Sequence, residues 1–176
     1  IADLIEHTLN AETNKGIKIS RYTRLPYRES FKDFMNSIQG HDYVLCVVSD
    51  SYLKSQACMY EVGEIVKDRR YKQKLLFVVL NDADRRHYPS SYTGKVTANI
   101  YGGSIKRLDY TRYWKQKYDE LSKEIDILND KEASSSAAAE LKEIGRIYRN
   151  DINEFLDFLA DYNGKTFEEL FTNRFR

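Results

Sequence analysis

The sequence predicts an α/β fold: a doubly wound, mostly parallel sheet with helices on both faces and a helical C-terminal part. Two apolar runs without polar alternation, residues 43–48 and 75–80, are typical of strands that are buried on both faces. Segments with helical spacing precede, separate and follow these runs, and a parallel sheet needs such helices as crossover connections. We therefore expect both runs to be interior strands of one sheet.

The N-terminal half of the chain alternates between helical and extended patterns. Apolar residues from Ile1 to Leu9 recur at helical spacing and predict a first helix. A doubly wound sheet normally begins with a central strand ahead of its first helix, and we expect that strand to lie upstream of the residues shown. The other predicted elements of this half are a strand at 17–20, a loop at 20–29, helices at 30–39 and 56–69, and a short edge strand near 97–101.

The rest of the chain is predicted to be helical. Apolar and aromatic residues at 114–128 recur at spacings of four and three, as on one helix face. A small-residue stretch at 133–139, either a linker or a helix start, precedes one long amphipathic stripe at 141–159. Thr166 and Glu169 have the spacing of a capping box, which predicts a last short helix.

Length, charge and cysteine content indicate a single soluble domain and exclude several functions. The 176 residues fit one domain, with an α/β core at 1–109 and C-terminal helices at 110–176. The net charge of +1 favours neither nucleic acid nor a membrane surface as a partner, and the apolar runs are too short to cross a bilayer. Cys46 and Cys58 form no disulfide framework, which favours a cytoplasmic setting. The three histidines lack ligand spacing, so we predict no metal site.

The residues that follow the first apolar run are candidates for a ligand site. Ser49 and Asp50 come directly after a predicted buried strand. They are therefore expected at the carboxyl edge of the sheet, where open α/β folds bind their ligands.

Glu61, in the next helix, has a structural and a functional interpretation. Helical spacing places it on the apolar face, whereas Glu64 is expected to point to solvent. A carboxylate on an apolar face is costly unless it has a partner or a function. Spacing alone favours the structural interpretation, in which Glu61 pairs with a cation such as Arg21 or Arg24.

The whole segment resembles the third strand and following helix of TIR domains. That pattern reads S-x-x-Y-x-x-S-x-W-C-x-x-E-x-x-x-I, and the family's Trp is replaced here by Ala57. Residues 16–19 resemble the second strand of the family and residues 20–29 its BB loop, in which Arg28 stands where bacterial relatives often have Gly. The likeness extends over residues 1 to about 160. The six positions that match the pattern are Ser49, Tyr52, Ser55, Cys58, Glu61 and Ile65.

The resemblance implies a flavodoxin-like fold and, for the bacterial type, cleavage of NAD⁺ as a substrate without any cofactor. Glu61 matches the catalytic Glu of the family, whose charge would stabilise the ribosyl cation that forms as nicotinamide leaves. The BB-like loop contacts a neighbouring subunit in this family and helps to complete the site. The substrate contacts that the resemblance implies are Ser49, Asp50 and Tyr52, together with Tyr22 and Arg24 in the BB-like loop.

Two classes of function are compatible with this resemblance. The first is an NAD⁺ glycohydrolase that oligomerisation activates, as the effector of a bacterial antiviral defence system. Its partners would be NAD⁺, other TIR domains and a fused or separate sensor domain. The second is a non-catalytic TIR–TIR interaction module in signalling, and the presence of Glu61 favours the enzyme. A third hypothesis is a response receiver. Such a domain needs an acidic phosphoacceptor site, which these residues do not supply.

Overall fold

The computed structural model describes residues 1–12, 17–21, 33–34, 37–130, 132–162, 164 and 166–172. Strands β1 (Val44–Val48) and β2 (Leu75–Val79) pair in parallel over their full length. The helices in chain order are α1 (Ala2–Glu12), α2 (Asp50–Leu53), α3 (Gln56–Ile65), α4 (Tyr71–Lys74), α5 (Ser104–Leu128), α6 (Ser135–Arg146), α7 (Ile152–Asp161) and α8 (Phe167–Thr172). Shorter turns are the 3₁₀ segments Ser37–Gly40 and Asp82–His87 and the π-helical segment Ile147–Asp151.

The two strands form a parallel sheet with a helical layer on each face, which confirms the predicted fold class. Alternate side chains of a strand point to opposite faces of the sheet. On one face, Cys46 and Val79 belong to a core cluster that also contains residues of α3, α5, α6 and α7. On the other face, Val78 packs with Ile5 of α1 and Phe167 of α8.

The second face is only half covered, which contradicts the expectation that both strands are interior and buried on both sides. Leu45 and Leu76 are opposite each other in the register, and 36% and 50% of their surfaces are exposed. Helix α1 covers the carboxyl end of this face, because Ile5 packs there with Val78 and Leu80. Within the described part of the chain the sheet has two strands, so each strand has one unpaired edge.

The segment before β1 contains less regular structure than predicted. Residues 17–20 form no strand, and Ile19 is the one side chain among them that is partly buried. The predicted helix at 30–39 lies largely outside the described residues. Within it, residues 33–34 are helical and Ser37–Gly40 form a 3₁₀ turn.

Residues 97–101 form no edge strand, because the chain here crosses the end of the sheet. The N–H of Ala98 donates to the carbonyl of Leu80, which follows β2, at 3.1 Å. The carbonyl of Val96 accepts from the N–H of Asp50, which follows β1, at 3.1 Å. The segment thus bonds to the ends of both strands instead of pairing along one of them.

The C-terminal part is helical, as predicted. The small-residue stretch contains the start of α6, and the long amphipathic stripe is interrupted by the π-helical segment Ile147–Asp151. The capping box before α8 is confirmed, because the N–H of Thr166 donates to the Glu169 carboxylate at 2.8 Å and the N–H of Glu169 donates to the Thr166 hydroxyl at 3.2 Å. No helix in the described ranges combines the length and the apolarity that a membrane crossing requires.

Helix α5 is attached to the carboxyl end of β1 by buried hydrogen bonds. The Tyr110 hydroxyl donates to the Asp50 carboxylate at 3.2 Å and accepts from the N–H of Asn99 at 3.0 Å. The Trp114 indole N–H donates to the carbonyl of Leu53 at 2.8 Å. Both aromatic side chains are almost fully buried, so they belong to the core, as their helical spacing predicts.

We predict that Tyr110→Phe lowers the free energy of unfolding by about 1–3 kcal/mol, the cost of leaving buried polar partners without a hydrogen bond. Asp50 and the N–H of Asn99 would each lose one bond while the aromatic packing stays. Urea denaturation of the parent and the variant measures the difference. The matched control is Tyr43→Phe, which removes the same hydroxyl from a side chain that is 66% exposed. Equal stability of the two variants would show that the Tyr110 hydroxyl contributes nothing.

Candidate active site

Two short helices follow β1, and side-chain caps set where each one starts. The Ser49 hydroxyl accepts a hydrogen bond from the N–H of Tyr52 at 3.0 Å at the start of α2. The Ser55 hydroxyl accepts from the N–H of Cys58 at 3.3 Å at the start of α3. Serine is a favoured capping residue because its oxygen satisfies an N–H that has no partner within the helix.

Tyr52 turns back from α2 onto the middle of β1. Its hydroxyl donates to the Cys46 sulfur at 3.3 Å, and its ring centre lies 6.3 Å from that of Phe155. Burial raises the pKa of the Cys46 thiol to about 12 and raises the pKa of the Tyr52 hydroxyl well above its ordinary value. Both groups are therefore neutral at physiological pH, and Cys46 is not a thiolate nucleophile.

Glu61 lies beside this pair on α3. Burial raises the pKa of its carboxyl from 4.5 to about 7. Secondary to their own burial, the Glu61 charge also raises the pKa of Cys46, Tyr52 and Cys58, so all three lie within its electrostatic reach. Within the described part of the chain, the Glu61 side chain makes no hydrogen bond or ion pair.

Arg21, one of the two cations considered as partners of Glu61, is engaged elsewhere. Arg21 forms ion pairs with Asp3 and, at 3.0 Å, with Glu6, both on α1. Arg24, the other cation considered, lies outside the described residues. The carboxylate of Glu61 is therefore half-buried without a cationic partner among the residues described.

Glu64 is buried, so the expectation that it points to solvent is wrong. Its side chain pairs with Lys67, and the Arg146 guanidinium lies 3.9 Å away. Arg146 also donates to the Asp151 carboxylate at 2.9 Å. The reason for the burial is that the end of α6 and the π-helical segment pack against α3.

Gly63 is the local sequence signal for this close packing. A Cβ at this position would lie 2.8 Å from a carboxylate oxygen of Asp151 and 2.9 Å from the guanidinium carbon of Arg146. A side chain of any size would therefore force these groups apart. A glycine within a helix, next to a glutamate, indicates that another element approaches there, but it does not identify that element.

Ser49 and Asp50 are bonded to groups other than Glu61. Both are buried, and Ser49 is the cap of α2. The Asp50 carboxylate accepts from Lys54 at 2.8 Å and from the Tyr110 hydroxyl at 3.2 Å. Of the predicted site residues on β1 and the helices that follow, Tyr52 is therefore the one brought together with Glu61.

The comparison with protein families gives one match, which includes the strand and the helices just described. A family model described as TIR domain matches residues 1–122. The chain belongs to the TIR family. No curated protein and no solved structure matches it. Membership makes the chain a TIR-type module for signalling or for NAD⁺ cleavage.

The matched part of this TIR domain includes Glu61, whereas α6 and α7 lie beyond it. These two helices nevertheless pack on α3, through Arg146 and the core cluster. Ala57, at the position of the family's Trp, is exposed. The predicted contacts Tyr22 and Arg24 lie outside the described residues, as does most of the BB-like loop.

We predict that Glu61→Gln and Glu64→Gln, one turn apart on α3, change stability in opposite directions at pH 7.5. Because the pKa of Glu61 is raised on folding, the folded protein keeps a proton between pH 4.5 and about 7 that the unfolded chain has lost. The stability of the parent therefore falls as pH rises through this range and levels off above it. Glu61→Gln removes this fall in stability. Its free energy of unfolding at neutral pH should therefore exceed that of the parent by at most about 3 kcal/mol.

Glu64→Gln should instead lower stability by about 1–3 kcal/mol, because it removes the charge of a buried carboxylate that pairs with Lys67 and lies 3.9 Å from Arg146. Thermal melts of both variants from pH 4 to pH 8 test the pair. Glu140→Gln on α6, an exposed glutamate, is the control and should follow the parent. A loss of stability in Glu61→Gln that equals that in Glu64→Gln would mean that Glu61 also has a charged partner.

Proposed function

We propose that this TIR domain cleaves the bond between nicotinamide and ribose in NAD⁺, with Glu61 as the catalytic carboxylate. One observation supports the proposal most: Glu61 is half-buried, its pKa is raised to about 7, and it has no cationic partner among the described residues. A carboxylate in such surroundings is costly for the fold, and perturbed acids of this kind concentrate at functional sites. A cationic ligand or transition state would supply the missing partner.

The chemistry of NAD⁺ suits a single carboxylate. Nicotinamide is a cationic leaving group in NAD⁺, so it departs as a neutral ring and needs no strong acid. As the bond breaks, positive charge develops on the ribose, as in the oxocarbenium-like transition state of glycosidases. A carboxylate at low local dielectric stabilises that charge more than water does. Water then completes the hydrolysis by adding to the ribose carbon.

The other candidate contacts take different parts in this proposal. Tyr52 is the proposed wall of the site beside Glu61, since its hydroxyl is held on Cys46. Ser49 and Asp50 fix the start of α2 through their own hydrogen bonds, and we keep them as contacts at the rim. Tyr22 and Arg24 complete the set of proposed contacts, from the BB-like loop of the same or a neighbouring copy.

In a cell, the proposed role is that of an effector in bacterial antiviral defence, acting in the cytoplasm. A sensor, fused or separate, would bring TIR domains together, and loss of NAD⁺ would then stop the host cell. Membership of the TIR family supports the type of domain that this role requires. The competing proposal, a TIR–TIR interaction module without catalysis, becomes the better one if clustered protein leaves NAD⁺ intact.

We predict that Glu61→Gln lowers the rate of nicotinamide release by roughly 10²–10³, the scale on which one preorganised electrostatic contact acts. Glutamine keeps the shape and the hydrogen-bonding capacity of the side chain but removes its charge. The assay follows nicotinamide release from NAD⁺ by protein clustered on a support. Since the carboxylate is the active form, kcat/KM of the parent should rise with pH and level off above about 7.

The control for this assay is again Glu140→Gln, which should cleave NAD⁺ at the rate of the parent. The pH dependence gives a second readout, because Glu61→Gln should lose the rise that the parent shows. If Glu61→Gln retains parental turnover, the assignment of Glu61 fails. If the clustered parent releases no nicotinamide at any pH, the proposal of catalysis fails as a whole.

A further inference from the structure

A cavity of about 300 Å³ opens on the surface between helix α5 and the π-helical segment Ile147–Asp151. Four residues of α5 and one residue of the π-helical segment form its walls. This volume is at the lower limit for small-molecule sites, so the cavity suits one or two large side chains better than a whole cofactor. The lining residues are Leu108, Thr111, Arg112, Lys115 and Tyr148.

Hydrogen bonds and ring packing hold the wall that the π-helical segment supplies. The Thr111 hydroxyl donates to the side-chain oxygen of Asn153 at 2.7 Å, and the Asn153 amide donates to the carbonyl of Tyr148 at 3.4 Å. The ring centre of Tyr148 lies 6.2 Å from that of Tyr118 on α5. The cavity is therefore part of the packing between these elements. Short π-helical segments within helices occur frequently at functional sites.

The apolar surface of the cavity continues along α5. Ile105 precedes Leu108 by three residues, so the two side chains lie on one face of the helix. Their exposed fractions are 79% and 52%. Neighbouring aliphatic side chains with so much exposed surface are typical of a protein interaction site.

The charged side chains around this apolar surface are mainly basic. Residues 104–115 carry four basic side chains and one acidic side chain. Arg112 and Lys115 line the cavity itself, and 67% and 52% of their side-chain surfaces are exposed. None of the five lining residues is acidic. A complementary occupant therefore combines an apolar side chain for the cavity with carboxylates for its rim.

The two cations at the cavity have exposed partners within α5. Arg112 bonds to Asp109 and Lys115 bonds to Asp119, in each case about one turn away on the same helix. Exposed pairs at this spacing contribute little to stability, so the carboxylate of a binding partner can replace either aspartate. Lys106, which is also exposed, extends the basic rim beside Ile105.

The exposure of the cavity walls favours a protein segment over a small molecule as the occupant. A ligand in a small-molecule site has most of its surface buried. Here Leu108, Arg112 and Lys115 are each more than half exposed, so a small molecule would remain largely in water. A protein segment covers the cavity and the rim together, as an amphipathic helix does in a hydrophobic groove.

We propose that the N-terminal half of α5 and the π-helical segment form a docking surface for an acidic, amphipathic segment of a different protein. An apolar side chain of that segment fills the cavity between Leu108 and Tyr148, and carboxylates beside it pair with Arg112 and Lys115. The surface is independent of Glu61 and of NAD⁺ cleavage. Tyr148 lies beyond the residues that match the TIR family, so the family match does not include the complete surface.

Selection from an unbiased library tests the chemistry of the occupant. Random linear peptides displayed on phage are selected on the parent chain, and the enriched sequences are read. We expect them to contain several Asp or Glu residues around one large apolar residue. The most enriched peptide is then synthesised, and its dissociation constant is measured by fluorescence anisotropy. Binding should weaken as the salt concentration rises, because salt screens exposed charges.

Substitutions in the cavity walls locate the bound peptide. Arg112→Glu combined with Lys115→Glu should weaken its binding at least about tenfold, because carboxylates then face carboxylates. Leu108→Ala should also weaken binding at least about tenfold, since it removes much of the apolar wall. The matched control combines Lys123→Glu with Lys142→Glu, which changes the net charge equally at two exposed lysines outside the cavity. Thermal melts check that every variant is folded.

Each outcome either supports or overturns the proposal. Acidic peptides that both cavity variants bind more weakly, and that the control pair binds like the parent, support it. The proposal is overturned if no peptide is enriched, if the enriched peptides lack acidic residues, or if either cavity variant binds as tightly as the parent. Equal weakening in the control pair also overturns it, because binding would then follow net charge alone. Sedimentation equilibrium gives the last outcome: a parental dimer that Leu108→Ala dissociates would show that a second copy occupies this surface instead.

Discussion

The packing of α3 between β1 and the C-terminal helices is the constraint on which the candidate site depends. On one side the helix meets Cys46 and Tyr52, and on the other it meets the end of α6 and the π-helical segment. Covered on both sides, α3 carries a half-buried and a buried glutamate one turn apart. Glu64 has Lys67 and a nearby Arg146, whereas Glu61 has no cation among the described residues. Glu64 thus has cationic contacts within the fold, and Glu61 is the carboxylate on which the proposed function rests.

The sequence predicted the elements whose patterns are local. Two continuous apolar runs predicted the parallel strands, and the spacing of Thr166 and Glu169 predicted the last helix. The prediction that Glu64 points to solvent was wrong because helical spacing assigns a buried and an exposed face as if the helix packed against one element. Helix α3 packs against two. The contact that buries Glu64 comes from Arg146, more than 80 residues away, and no local pattern identifies that pairing. The same limit applies to residues 97–101, whose bonds go to the ends of two different strands.

Helix α5 is buried on one face and exposed on the other. The inner face ties the helical layer to the sheet, where Tyr110 bonds to Asp50. The outer face is exposed among the described residues. Only the first 122 residues of the chain match the TIR family, yet the part beyond them completes the environment of α3. The C-terminal helices are therefore integral to the candidate site, although they supply no proposed substrate contact.

The ionisation of Glu61 in the folded protein is the most direct test of this account, because the proposed function rests on a half-buried carboxylate that has no cation among the described residues. The measurement is a titration of the Glu61 side-chain carboxyl carbon by NMR, with the signal assigned through Glu61→Gln. The account predicts a midpoint near pH 7, set by burial. A midpoint near the ordinary value of 4.5 would contradict it, because the carboxylate would then be either solvated or paired with a cation.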